Sequence, residues 1–233
     1  MKLVTLSFDD GFIRSNLEIA RIYEKFGLSA CLNVIARGHE PSFKAPDRWH
    51  VGYPKGDFGL WNELQARGHE VMPHGLRHAN KQAMPTAKAK SMIQRCLDIF
   101  SRRLKGFRPS RAIFNFPYNR STPELETWLA KRVRAFRSGG PVINPLPHAR
   151  TFRISCGAYG PGNCERDLDG QLRELMKREE GWLVYNTHGL DKEGWGPIRA
   201  DYLERLLGRL VHLKSVKVVS VTQALEWGSK HSR

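Results

Sequence analysis

An α/β fold in one domain spanning residues 1–233 is what this sequence predicts, with a parallel sheet that is either open or closed into a barrel. Three observations predict it. Short apolar runs alternate with longer stretches of helical periodicity from end to end. No linker, internal repeat or low-complexity tract interrupts that alternation. The length of 233 residues suits one large domain with a substantial core, a size common among α/β barrels.

Taken in order, Lys2 to Ser7 reads as the first strand. Leu17 to Phe26 is amphipathic and ended by Gly27, so it reads as a helix. Ser29 to Ile35 is a second strand. A loop rich in Gly and Pro follows from Ala36 to Gly59, then a helix from Leu60 to Arg67 closed by Gly68. Val71 to Pro73 ends a third strand. Thr86, just after Pro85, starts a long basic helix that runs to Leu104. Ala112 to Phe116 is a strand stopped by Pro117. Thr122 caps the next helix, with Pro123 at its first position and Glu124 and Glu126 in a first turn that suits the helix dipole. Val133 to Phe136 and Phe152 to Ser155 carry weaker strand signals around a Gly/Pro-rich segment. Asp167 to Arg178 is helical, Trp182 to Asn186 a buried strand, Asp201 to Leu213 a helix, Val216 to Val221 a strand, and Thr222 begins a short closing helix. Strand and helix repeated this way imply parallel pairing.

In a parallel barrel the residues just past the C-terminal strand ends point into the active-site mouth. Asp9, Asp10, His74, His78, Tyr118 and His188 all fall there. An Asp-Asp-Gly by itself is usually a turn, and two histidines four apart often arise by chance. Their joint occurrence, each after an apolar run, points to a hydrolytic metal site, because carboxylate and imidazole hold a Zn²⁺-like ion while leaving positions open. His69 precedes a strand and is expected to make a structural hydrogen bond. Trp61, Trp128, Trp182 and Trp227 read as core or helix-packing residues.

The motifs resemble those of the polysaccharide deacetylases, the NodB-homology group or carbohydrate esterase family four. Thr5-Leu6-Ser7-Phe8-Asp9-Asp10-Gly11 resembles the first motif, and Gly68-His69-Glu70 leading to His74-Gly75-Leu76-Arg77-His78 the second. Phe114-Asn115-Phe116-Pro117-Tyr118 is similar to the third and Tyr185-Asn186-Thr187-His188 to the last. The resemblance implies a distorted (β/α) barrel of the seven-stranded NodB type and metal-dependent removal of acetyl groups from sugars. It makes Asp9 the general base, and Asp10, His74 and His78 the metal ligands. Tyr118 would hold the oxyanion through its backbone N–H, and His188 would be the general acid. Asn115, Pro117, Asp191 and Trp195 are weaker expectations for contact with substrate, Trp195 by stacking on a sugar ring. Asp191 or Glu193 is a candidate for orienting His188.

Two departures from the family pattern stand out. Asn115 occupies the place where the family has an Arg that steadies the base, with Arg137 as a candidate replacement. No counterpart exists to the Asp-containing fourth motif. The implied enzyme is a metal-dependent carbohydrate deacetylase, a hydrolase of C–N bonds other than peptide bonds, acting on N-acetyl or less readily O-acetyl groups. Two alternatives stay open: hydrolysis of a small non-sugar amide or cyclic ureide on the same fold, and a degenerate glycan-binding barrel. Zn²⁺ is the expected ion, and Co²⁺, Ni²⁺ or Fe²⁺ suits the same ligands.

The remaining composition bounds partners. A formal charge of +15, with ten Lys or Arg against the single acid Asp98 between residues 81 and 120, favours anionic polymers such as an acidic glycan. No nucleic-acid module signature accompanies it. No apolar run reaches membrane-spanning length, and the first strand begins too early to leave room for a signal peptide, so the expected location is cytoplasmic. The cysteines at 31, 96, 156 and 164 are expected as free thiols, although Cys156 and Cys164 flank a loop that would let them pair.

Overall fold

The computed structural model describes residues 1–231. Seven parallel strands stand in a ring: β1 (Lys2–Phe8), β2 (Cys31–Val34), β3 (Glu70–Pro73), β4 (Ile113–Asn115), β5 (Ala135–Gly139), β7 (Arg153–Cys156) and β8 (Gly181–Thr187). They form two hydrogen-bonded sheets, β3-β2-β1-β8 and β4-β5-β7, each parallel within itself. The sheets meet at two seams. At one, Asn186 N–H donates to Gly157 O at 2.8 Å. At the other, Ile113 N–H reaches Met72 Sδ at 3.4 Å and Asn115 Nδ2 lies 3.5 Å from Pro73 O. The barrel is therefore distorted, with contacts rather than full ladders at the seams.

Two short strands are set beside the N-terminal halves of these staves. β9 (Val216–Val218) pairs with β1 at Lys2 to Val4, whereas β2 joins β1 only from Ser7 onward. β6 (Ile143–Asn144) pairs antiparallel with Leu183 and Trp182 of β8. Asn144 also exchanges hydrogen bonds with Ser155 of β7, at 2.8 and 2.9 Å. The all-parallel expectation fails at β6, because a two-residue strand has no period from which to read it.

Helices α1 (Ile13–Glu24), α2 (Phe58–Ala66), α3 (Thr86–Arg103), α4 (Pro123–Leu129), α5 (Cys164–Lys177), α6 (Ala200–Val211) and α7 (Val221–His231) complete the chain. Every strand and helix expected from sequence exists, with shifted ends. α1 begins earlier than Leu17 because Ser15 and Asn16 are buried polar residues that break the apolar stripe. Ser15 has a tertiary partner, Glu193, which accepts from its backbone N–H and hydroxyl, and Asn16 donates to Phe12 O one turn back at 2.8 Å. β5 runs on to Gly139, past the expected end at Phe136.

The strands alternate between two apolar layers. Val4, Leu6 and Phe8 of β1 face the helices in one cluster. Leu3, Ile113, Ala135, Ile154, Trp182 and Val184 fill the barrel, joined by Val221, Ala224 and Leu225 of α7. Trp61 and Trp182 are fully buried and Trp128 and Trp227 partly so, as expected of packing residues. His69 accepts from Ala30 N–H and meets Glu24, a structural role. All four cysteines are buried free thiols. No helix among the described residues is long and apolar enough to cross a membrane.

Candidate active site

Toward the C-terminal strand ends the barrel interior turns from apolar to polar. Ser7, Asn33, Asn115, Arg137 and Asn186 are all buried there. Above them opens a cavity of about 650 Å³ lined by Asp9, Asp10, His50, His78, Tyr118 and His188, with Trp49, Arg120 and Trp195 at its wall.

Asp9 leaves β1 and is fixed from three directions. Its backbone N–H donates to Thr187 O at 3.0 Å. Arg137 on β5 grips both carboxylate oxygens, at 3.0 and 2.5 Å, and Asn33 Nδ2 donates to Oδ1 at 2.8 Å. Burial raises this carboxyl's pKa, but the Arg137 guanidinium, together with the His74 and His188 rings, holds Asp9 below the usual carboxylate range. A buried bidentate pair of this kind is expensive to break from one side, at about 3–5 kcal/mol. Arg137 thus makes the ion pair with Asp9 that Asn115 cannot, reaching it across the barrel from β5.

Asp10 takes a left-handed backbone conformation, φ 76°, followed by Gly11 at φ 77°. Both of its carboxylate oxygens are buried without a hydrogen-bond partner. His74 Nε2 lies 3.6 Å from Asp10 Oδ1 and 3.6 Å from Asp9 Oδ2, and His78 Nε2 lies 3.5 Å from Asp10 Oδ1. Burial pushes His78 down to about 3 and lowers His74 as well, so both rings are neutral near pH 7, the state a metal ligand needs. His74 Nδ1 meets Asn115 O at 3.1 Å, which leaves Nε2 facing the two acids.

A third imidazole, not expected from sequence, completes the cluster. His50 Nε2 stands 3.1 Å from Asp10 Oδ2, and Asp10, His50 and His78 each offer a ligand atom within 4.8 Å of the other two. Its ring sits 4.8 Å from that of His78. A lone histidine in a Gly/Pro-rich loop carries no motif. The one available signal was the loop itself, since connections beyond about 12–15 residues are uncommon in compact domains and are often functional.

The remaining expected residues divide. Tyr118 borders the cavity with φ 60°, a strained conformation for a bulky residue, and its ring lies 4.4 Å from that of His78. His188 lines the cavity with its Nδ1 buried and unpartnered, and Trp195 meets it edge-on at 5.7 Å. Gly194 makes that approach possible, because a Cβ there would come within 2.7 Å of His188 Cβ.

Three of the weaker expectations lie elsewhere. Asn115 is buried below the cavity, where it donates to Asn33 Oδ1 at 2.7 Å and so acts on Asp9 at one remove. Pro117 packs against Gly75. Asp191 caps α6 by accepting from Ala200 N–H at 3.2 Å, and Glu193 is taken by Ser15, so neither orients His188. Loop polarity alone could not separate a helix cap from a catalytic partner.

A chain with this barrel and this acid–imidazole cluster falls within a recognised class. The model of the polysaccharide deacetylase family matches residues 1–137, and the protein belongs to that family. The family's reaction class, hydrolysis of the carbohydrate deacetylase type, comes with that membership. The fold is shared with solved structures of low identity. Peptidoglycan deacetylase PdaC from Bacillus subtilis superposes with a TM-score of 0.60 at 16% identity, covering 97% of this chain and 90% of that one. A family 4 carbohydrate esterase from Streptomyces lividans gives 0.59 at 16%, covering 93% and 91%. Puue allantoinase gives 0.65 at 13%, covering 94% and 74%. No curated protein matches the chain in sequence.

Proposed function

We propose that the protein is a metal-dependent deacetylase that removes N-acetyl groups, and less readily O-acetyl groups, from a sugar or oligosaccharide. The observation that carries this reading is the packing of unpaired donor atoms. Both Asp10 oxygens and the Nε2 atom of His50 are buried without hydrogen-bond partners at one cavity, with the equally unpartnered His74 Nε2 3.6 Å from Asp10 Oδ1 and an anchored spare carboxylate beside them. Such atoms are costly to bury unless something of opposite character joins them. A mixed carboxylate–imidazole set fits a divalent ion, Zn²⁺ first, with Co²⁺, Ni²⁺ or Fe²⁺ also suited. Asp10, His74 and His78 would hold it.

When bound, such an ion supplies acidity to a water molecule and polarisation to the acetyl carbonyl. The chain's own groups do the rest. Asp9, ionised and clamped by Arg137 and Asn33, accepts the proton of the attacking water. The Tyr118 backbone N–H donates to the developing oxyanion, a contribution of about 3 kcal/mol when one such donor is lost. His188 delivers a proton to the departing amine, a poor leaving group until protonated. Trp195 offers an aromatic face to a sugar ring, and the basic surface favours an anionic glycan. Hydrolysis of a cyclic amide remains the alternative on this fold.

Asp9→Asn should retain metal at wild-type stoichiometry and lose at least a hundredfold in acetate release from N-acetylglucosamine oligomers. An active Asp9→Asn enzyme would remove the base assignment. Wild-type turnover of cyclic amides without acetate release from any sugar would move the substrate to the alternative.

A further inference from the structure

We propose that His50 is an additional protein ligand of the metal centre, oriented by Asp47 and held in place by the buried ammonium of Lys55. The inference rests on the metal reading above and extends it to a residue outside the motifs.

Four independent features place this side chain. First, its Nε2 sits 3.1 Å from Asp10 Oδ2 yet is buried without hydrogen-bond geometry to any partner, as is that oxygen. Two polar atoms brought together without bonding to each other suit a common third partner. Second, the far ring nitrogen, Nδ1, meets Asp47 Oδ1 at 2.8 Å. A carboxylate on the distal nitrogen fixes the tautomer that leaves Nε2 free to ligate and raises its basicity.

Third, the segment that carries His50 is built to hold it. Lys55 Nζ donates to His50 O at 3.0 Å and to Tyr53 O at 2.8 Å, and lies 4.4 Å from the Phe12 ring centroid. The loop is tied to the motif that bears Asp10 by Gly56 N–H to Gly11 O at 3.0 Å and by Ile13 N–H to Pro54 O at 3.1 Å. Fourth, Asp47 is itself anchored, accepting from Trp49 N–H at 3.0 Å. A surface connection with no role would not enclose a lysine among its own carbonyls and an aromatic ring.

The consequence is a centre in which His50 joins Asp10 and His78, the three whose ligand atoms lie within 4.8 Å of one another, and which should hold metal more tightly than the same centre without His50.

The test is a zinc competition titration with a chromophoric chelator on wild type, His50→Ala, His50→Gln and Asp47→Asn, with His78→Ala as a control. Loss of a ligand or of its orienting carboxylate is expected to weaken zinc binding about 10- to 100-fold. A variant-free readout accompanies it: the histidine ¹⁵N spectrum of the zinc-loaded wild-type protein should show His50 among the metal-shifted rings. Wild-type protein that binds no zinc, or binds it unchanged in His78→Ala, defeats the metal reading itself. Zinc affinity equal to wild type in the His50 variants, with an unshifted His50 ring, overturns this inference and leaves that reading standing.

Discussion

Lys81 is fully buried, and among the described residues its Nζ donates to one acceptor, Ala79 O at 2.9 Å. Burial lowers its pKa to about 8, against about 10.4 for an unperturbed lysine. The unfolded chain therefore holds a proton more firmly than the folded one, and stability rises with pH wherever that difference operates. The cost of the buried ammonium is full below about pH 8 and is relieved as pH climbs toward about 10.4. Lys81→Met should stabilise the protein at pH 7 by on the order of 1–3 kcal/mol. Its advantage over wild type should shrink between about pH 8 and pH 10, read from paired denaturant melts. An advantage that is constant across that range would show that packing, not charge burial, sets the difference. Asp9 presents the opposite case, where a full partner in Arg137 compensates burial.

At the scale of elements, the starts of α2 and α4 are set by side-chain caps that sequence reading places within a few residues. α2 begins at Phe58 because the Asp57 side chain accepts from Leu60 N–H at 3.1 Å, two residues before the expected start at Leu60. Asp57→Ala should cost about 1 kcal/mol, and for a domain of this size lower the melting temperature by about 2–4 °C. Thermal unfolding by circular dichroism checks it, and an unchanged melting point would mean the cap does no work in the folded chain. Thr122 caps α4 as expected, accepting from Leu125 N–H at 3.3 Å, with Pro123 at the first position. α3 starts at Thr86 as expected, but with no side-chain cap at all. Its basic residues therefore owe their place to the apolar face of Ala89, Ile93, Cys96, Leu97 and Phe100.

The whole molecule carries 38 basic against 23 acidic residues, and that imbalance acts on stability as well as on partners. Like charges in a compact shape repel more strongly than in an extended chain. Raising salt from about 10 mM to about 150 mM shortens the screening length from about 30 Å to about 8 Å and should raise the melting temperature. A melting temperature that falls over the same range would show that exposed ion pairs such as Lys90–Glu124 and Arg199–Glu165 outweigh the net repulsion. The barrel itself is also a property of the whole. Its two seams lack ladders, and the short β6 and β9 sit beside the N-terminal halves of β8 and β1.

What the sequence alone determined is the α/β alternation and the motif positions at strand ends, because period, caps and turn residues are local signals. The positions of Asp9, Asp10, His74, His78, Tyr118 and His188 just past strand ends were readable for the same reason: each follows an apolar run directly. Only the tertiary structure decided who touches whom. It brought His50 from a long loop to Asp10 and turned Asn115 inward, onto Asn33 and out of the cavity lining. It also gave Asp191 to a helix cap and carried Arg137 across the barrel to Asp9. These are contacts between residues distant in the chain, set by how the strands close around one axis, and no periodicity within a window of sequence encodes them.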